Sequence, residues 1–171
     1  SKGIFMSFQY PVEIPGINNA YFLRSAVNSQ QKFNNQKEIN APNFMKEYKS
    51  NMIKLDLDTS FISRCLNEGF SGGEKKRNEM LQMLMIKPKL CILDETDSGL
   101  DVDALKIISQ SIQSMKNPKR SFIVITHYHR ILEHLDADFV HILSNGKIVK
   151  TGSKNLALEI EKKGFKAVLS N

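Results

Sequence analysis

The spacing of apolar residues changes character near residue 69. Before it, apolar positions recur at helical intervals between polar stretches. After it, helical spacing alternates with short β-branched runs. The opening run Gly3 to Phe8 reads as a strand that ends at Gln9. Pro11, Pro15 and Gly16 then interrupt regular structure over 10–16. A helix is predicted over 20–32, capped by Asn18 or Asn19, with Phe22, Leu23, Ala26 and Val27 on one face. Residues 34–42 are polar and read as a loop. Phe44, Met45, Tyr48, Met52 and Leu55 share a helical face over 43–55, and a short third helix is predicted over 59–66.

Beyond Gly69 a helix is predicted over 72–86, with Met80, Leu81, Leu84 and Met85 facing inward. Leu90 to Leu93 is an apolar strand that ends on acids. A helix over 101–115 follows, then a β-branched strand over 121–126 and a helix over 128–135. Runs 139–143 and 147–151 flank Ser144-Asn145-Gly146, and Asn-Gly is a strong hairpin signal. An amphipathic helix over 154–163 closes the pattern. Strand–helix–strand order implies an α/β fold with a mostly parallel sheet, a small helical lobe and a C-terminal β-hairpin. Three regions are expected: an opening strand and loop over 1–17, the helical lobe over 18–69, and the α/β portion over 70–171.

Composition narrows the class. The chain has 171 residues, 41% hydrophobic and 25% charged, which is ordinary for a globular protein and argues against wholesale disorder. No apolar run approaches the roughly 20 residues that span a bilayer, and no signal segment opens the sequence. Two cysteines, Cys65 and Cys91, are too few for a disulfide framework or a zinc cage, so a reducing compartment is expected. The net charge of +6 fits a Lys-rich solvated surface or an acidic partner. Lys far outnumbers Arg and is scattered, which favours the solvated surface, so no nucleic-acid partner is expected.

Five local signals carry chemistry. Ser71-Gly72-Gly73-Glu74 opens a helix, where free N–H groups and the helix dipole favour phosphate; an ordinary capped turn is the alternative. Leu90-Cys91-Ile92-Leu93 delivers Asp94 and Glu95 at a strand's carboxyl end, where ligands gather in open α/β sheets. Asp94 suits Mg2+ and Glu95 suits polarising a water. Ser98-Gly99-Leu100-Asp101 is a tight turn whose Asp101 could simply cap the next helix. His127 follows the strand Phe122-Ile123-Val124-Ile125-Thr126, where an imidazole can hydrogen-bond phosphate or place a water. Gln9 ends the first strand and can reach Mg2+ or water through its amide.

In this order the five signals resemble the layout of an ABC-type ATPase cassette across essentially the whole chain. The resemblance makes Gln9 the Q-loop glutamine, Ser71 to Glu74 the signature, Asp94 and Glu95 the Walker B pair, Ser98 to Asp101 the D-loop and His127 the switch histidine. Phe8-Gln9-Tyr10-Pro11-Val12-Glu13-Ile14-Pro15-Gly16, Phe70 to Asn78, Asp97 to Leu105 and Thr126-His127-Tyr128 are similar to the SufC-type ATPases of the SUF iron–sulfur assembly machine. That resemblance implies ATP and Mg2+ as cofactors, SufB and SufD scaffold proteins as partners, and a transient head-to-tail dimer. Residues 9–55 would face the partner, with Val12, Ile14, Tyr21 and Phe22 as candidate contacts. It also implies a bacterial cytoplasm or a plastid-type or apicoplast stroma, without direct membrane insertion. A transporter subunit, an ABC-F protein and a non-catalytic partner-binding fragment are the alternatives.

One departure stands out. No Gly-x-x-x-x-Gly-Lys-[Ser/Thr] occurs in the sequence. The pair Gly146-Lys147 has His141 and Ile148 at the flanking positions and reads as a turn. The family places its phosphate loop ahead of the Q-loop strand, so this chain reads as a carboxyl-terminal portion of such an ATPase, inactive by itself. An apolar surface is then expected around Ile92, Ile123 and Ile125. Lys76, one helical step past the signature, could pair with Glu95 or form an ordinary surface pair.

Overall fold

Three apolar runs come together as a parallel sheet in the computed structural model, which describes residues 2–127 and 130–169, with side chains in the last helix described as far as residue 164. The strands are β1 (Ile4–Ser7), β4 (Leu90–Asp94) and β5 (Ser121–Ile125), in the order β1-β4-β5. Met6 lies opposite Ile92, and Ile92 lies opposite Ile123. Side chains alternate between faces along each strand. One face carries Ser7, Cys91 and Leu93, all fully buried. The other carries Ile4, Met6, Ile123 and Ile125, which are between 42% and 63% exposed.

The covered face meets helix α3 (Gly72–Ile86) where Ser7 bonds to Glu79, and α3 in turn packs against α4 (Val102–Met115). Asp101 caps α4 by accepting the Ala104 N–H at 2.7 Å. The helices α1 (Asn19–Phe33) and α2 (Ala41–Lys54) follow the Q-loop region. Asn18 caps α1 by accepting the Tyr21 N–H at 2.9 Å, which settles the choice between Asn18 and Asn19. α2 starts two residues earlier than its apolar pattern suggests. Asn40 accepts the Asn43 N–H, and Pro42 fits the first turn because its missing N–H needs no partner there. Leu23, Phe44, Tyr48, Met52, Met80 and Leu81 make the core of this region.

Two expectations need correction. Residues 59–66 are not one helix: Thr59–Ile62 is a single 3-10 turn capped by Asp58, and Cys65–Leu66 is a strand, β3. The Pro/Gly-rich break over 10–16 is also not wholly irregular. Ile14–Asn18 forms β2, which pairs antiparallel with β3 through a bulge.

Residues 1–126 form one compact unit and 127–171 a second. In the second, α5 (Ile131–His134) is shorter than predicted, and the start of the predicted helix at Tyr128 lies outside the described residues. Strands β6 (Val140–Ser144) and β7 (Lys147–Gly152) form the expected hairpin. Asn145 and Gly146 both have positive φ, 48° and 74°, which suits a tight hairpin turn. Helix α6 (Lys154–Leu169) packs Leu156 beside Ile142. Gly152 allows this approach: a Cβ there would sit 3.1 Å from that of Leu156. A non-helical Gly164 breaks α6 just after the predicted span.

Candidate functional site

The carboxyl ends of β1 and β4 bring Gln9, Asp94 and Glu95 into one place. Gln9 Nε2 donates to Glu95 Oε2 at 2.7 Å. Asp94 is the last residue of β4 and is half-buried. Glu95 leaves the strand with φ of 46°, a left-handed conformation that costs a non-glycine residue about 1–2 kcal/mol. The surroundings hold it there. Its N–H donates to the Ile125 carbonyl at 2.9 Å, and its carbonyl accepts from Lys76 Nζ at 3.1 Å.

Glu79 is a residue that sequence reasoning missed, and Lys76 one for which it left two roles open. Both lie on α3 and each is only 5% exposed. Lys76 Nζ also donates to the carbonyls of Phe8 at 3.2 Å and Gln9 at 2.8 Å. Of the two roles open to Lys76, a surface pair is excluded by its burial, and its contact with Glu95 is to the main-chain carbonyl. Glu79 accepts from the Ser7 hydroxyl at 2.6 Å and from the Phe8 N–H at 3.2 Å. Burial pushes the Glu79 carboxyl above its ordinary range, against the Ser7, Phe8 and Lys76 contacts that favour its charge. Burial also lowers the Lys76 ammonium, against the pull of Glu79, Asp97, Asp94 and Glu95. The available signal was weak: helical spacing alone gives Lys76, Asn78 and Glu79 no partner.

Ser71 to Glu74 open α3 through a reciprocal cap. Ser71 Oγ accepts the Glu74 N–H at 3.3 Å, and Glu74 Oε2 accepts the Ser71 N–H at 2.6 Å. Gly72 and Gly73 then sit in the first turn, whose N–H groups have no helical carbonyl to meet. Neither has positive φ. A Cβ on Gly72 would touch nothing within 4 Å, and one on Gly73 would meet Leu100 at an ordinary 3.7 Å. Among the described residues nothing crowds a side chain at either position. Leu100 brings the turn at Ser98 to Asp101 beside this start. Ser98 N–H donates to the Glu95 carbonyl at 3.1 Å, and Gly99 turns the chain with φ of 73°. Before that turn, Thr126 Oγ1 donates to Asp97 Oδ2 at 2.5 Å, tying the loop to the exit of β5. His127 comes directly after Thr126, is exposed, and opens the second unit.

The segment after Gln9 is tied down at two points. Asn67 Nδ2 donates to the Val12 carbonyl at 2.8 Å, and Lys75 pairs with Glu13 at 2.5 Å. That contact holds the Glu13 carboxyl below its usual range. Tyr10, Val12 and Tyr21 are exposed, whereas Ile14 and Phe22 are half-buried. A hollow of about 650 Å³ lies elsewhere, lined by Lys46, Lys54, Lys87 and Arg120 among others. Lys87 there pairs with Glu47, and Arg120 donates to the carbonyls of Pro88 and Met115. Among the described residues no helix is long and apolar enough to cross a membrane.

Comparison with known proteins bears on the family and the fold. The chain is 53% identical over 163 residues to the probable ATP-dependent transporter ycf16 of Trieres chinensis, covering 95% of this chain and 65% of that protein. It is 46% identical over 164 residues to the probable ATP-dependent transporter SufC of Escherichia coli strain K12, covering 96% and 66%. The chain therefore spans about two thirds of the length of these relatives. No protein-family profile matches it. Among solved structures, an ATP-binding subunit of an ABC transporter superposes with a TM-score of 0.75 at 18% identity, covering 99% of this chain and 69% of that one. The dimeric structure of MJ0796, a bacterial ABC transporter cassette, gives 0.71 at 17%, covering 87% and 62%. These two likenesses bear on the fold.

Proposed function

The chain belongs to the SufC-type ABC ATPases, and from that premise we propose that the whole protein hydrolyses ATP to drive iron–sulfur cluster assembly on a SufB- and SufD-type scaffold. The observation that carries the reading is the Gln9–Glu95 hydrogen bond of 2.7 Å at the ends of two neighbouring strands. In such sheets the γ-phosphate and its attacking water would meet this amide and this carboxylate. In this reading Glu95 accepts the proton of that water, and Gln9 orients Glu95 and the water. The Asp94 carboxylate and the Gln9 amide oxygen would hold Mg2+, which supplies positive charge against the phosphates as the terminal phosphoryl group departs.

The donor set fits such an ion. Mg2+ takes one or two protein oxygens and completes its shell with phosphate and water. Among the described residues no three His, Cys, Asp or Glu side chains gather into a protein-only cage. An imidazole such as that of His127 can hydrogen-bond a phosphate or position a water. In two protomers arranged head to tail, Ser71, Gly72, Gly73 and Glu74 of one meet the ATP held by the other. Ser98, Gly99, Leu100 and Asp101 lie along the seam. Tyr10, Val12 and Tyr21 offer exposed apolar and aromatic contacts to the scaffold.

The phosphate-cradling backbone and lysine supply most of the grip on β- and γ-phosphates, and these 171 residues contain no such motif. The 171-residue polypeptide is therefore expected to bind ATP weakly and to hydrolyse none measurably, whereas the full-length protein turns it over. Robust Mg-ATP turnover by the 171-residue chain would contradict this. A second reading, a subunit of a membrane transporter, is favoured by the transporter names of the relatives. Affinity capture of the full-length protein separates the two. Recovery of SufB- and SufD-type proteins supports the assembly role, and recovery of a membrane-embedded partner in their place overturns it.

A further inference from the structure

Five polar groups gather where β1 ends and are met from a single helix face. They are the Ser7 hydroxyl, the Phe8 N–H and the carbonyls of Phe8, Gln9 and Glu95. Glu79 takes the first two and Lys76 the other three. The two side chains stand three positions apart on α3, hence on one face. Both are nine-tenths or more buried, and burial disfavours the charge of each. Burying a charge is a poor source of stability. The geometry is nonetheless specific: an acceptor-only carboxylate faces a hydroxyl and an N–H, and a donor-only ammonium faces three carbonyls. One residue beyond Phe8 stands Gln9, whose amide holds the Glu95 carboxylate.

We propose that Glu79, acting with Lys76, is a positioning residue: from the signature helix it clamps the end of β1 so that the Gln9 amide is held against Glu95. The clamp also makes α3 and the start of the Q-loop one body, so that the signature start and Gln9 keep a fixed relation. This rests on the ATPase reading for its kinetic consequence, but the clamp itself is a property of the fold.

The experiment uses the full-length protein with Glu79→Ala, Glu79→Gln and Ser7→Ala, read by ATPase kinetics and by amide hydrogen exchange over residues 4–10. Glu79→Ala is expected to lower kcat by roughly 10- to 100-fold while KM for ATP stays within about twofold, because misplacement of reacting groups is felt in the chemical step. Exchange at the Phe8 amide should accelerate. Glu79→Gln can still accept from the Phe8 N–H and donate to the Ser7 hydroxyl, so it should recover most of both readouts. Ser7→Ala removes one bond of the clamp and should lower kcat about two- to fivefold, which keeps the test decisive if Glu79→Ala fails to fold. Parental kcat in Glu79→Ala, or no change in either readout in Ser7→Ala, would overturn the proposal. So would a Gln variant as slow as the Ala variant with an equal loss of thermal stability. Absence of turnover in the unsubstituted protein would overturn the ATPase reading instead, and the exchange measurement would then decide the clamp by itself.

Discussion

At the scale of single residues, the site is held by groups in costly states. Glu95 sits at positive φ, and the bonds to Ile125, Lys76 and Gln9 over-determine it. Glu95→Gly is therefore expected to leave the 171-residue chain at least as stable as the parent, although it removes a hydrogen bond. The urea midpoint checks this, and a loss above about 1 kcal/mol would show that the left-handed turn carries no strain. The opposite is expected at Asn78. Asn19 Nδ2 donates to Asn78 Oδ1 at 2.8 Å, and Asn78 Nδ2 donates to Asn67 Oδ1 at 2.8 Å. All three amides are buried, and Asn67 passes the chain on to the Val12 carbonyl. Asn78→Ala leaves two buried partners unmet, so urea unfolding should show a loss of about 2–4 kcal/mol.

At the scale of elements, α3 joins what the sequence made visible to what it hid. Its start was legible because a serine, two glycines and a glutamate three positions after the serine make a reciprocal cap, and the structure shows both halves of that cap. Ser71→Ala should cost about 1 kcal/mol in the urea unfolding of the 171-residue chain. The Ser71 main-chain N–H holds the Glu74 carboxyl below its ordinary range. A depressed folded pKa contributes stability above the ordinary carboxylate value and loses it as pH falls through the lowered one. The stability gap between the parent and Glu74→Gln should therefore be open at pH 7 and narrow on acidification; a gap that is constant with pH would contradict the assignment. The strands β4 and β5 and the cap at Asp101 were equally legible, because apolar runs ending on acids or small polar residues need only local reading. The inward side of Lys76, Asn78 and Glu79 was not. Periodicity assigns charges to solvent, and only the non-local arrival of β1 and Asn67 gives these groups partners. β2 and β3 were hidden for a related reason. Two prolines mask the first, and the second has two residues that become a strand only through pairing with Ile14 and Asn18.

At the scale of the whole molecule, the central sheet is finished on one side only. A parallel sheet normally has both faces covered. Here Cys91 and Leu93 are fully buried on one face, while Ile4, Met6, Ile123 and Ile125 stand open on the other. The register places Met6, Ile92 and Ile123 side by side across all three strands, so the open residues form a contiguous apolar band. Such a band drives association. The 171-residue chain is therefore expected to bind a hydrophobic dye such as ANS and to self-associate as its concentration rises. Ile123→Lys and Ile125→Glu should reduce both effects while leaving the urea midpoint nearly unchanged, because these side chains lose little packing when replaced. The same substitutions in the full-length protein should instead destabilise it, if the additional length of the relatives supplies the cover for this face. Light scattering and dye fluorescence across the four combinations of chain length and substitution test the argument. A dye-silent monomer of the 171-residue chain would show that the band is not a cohesive surface.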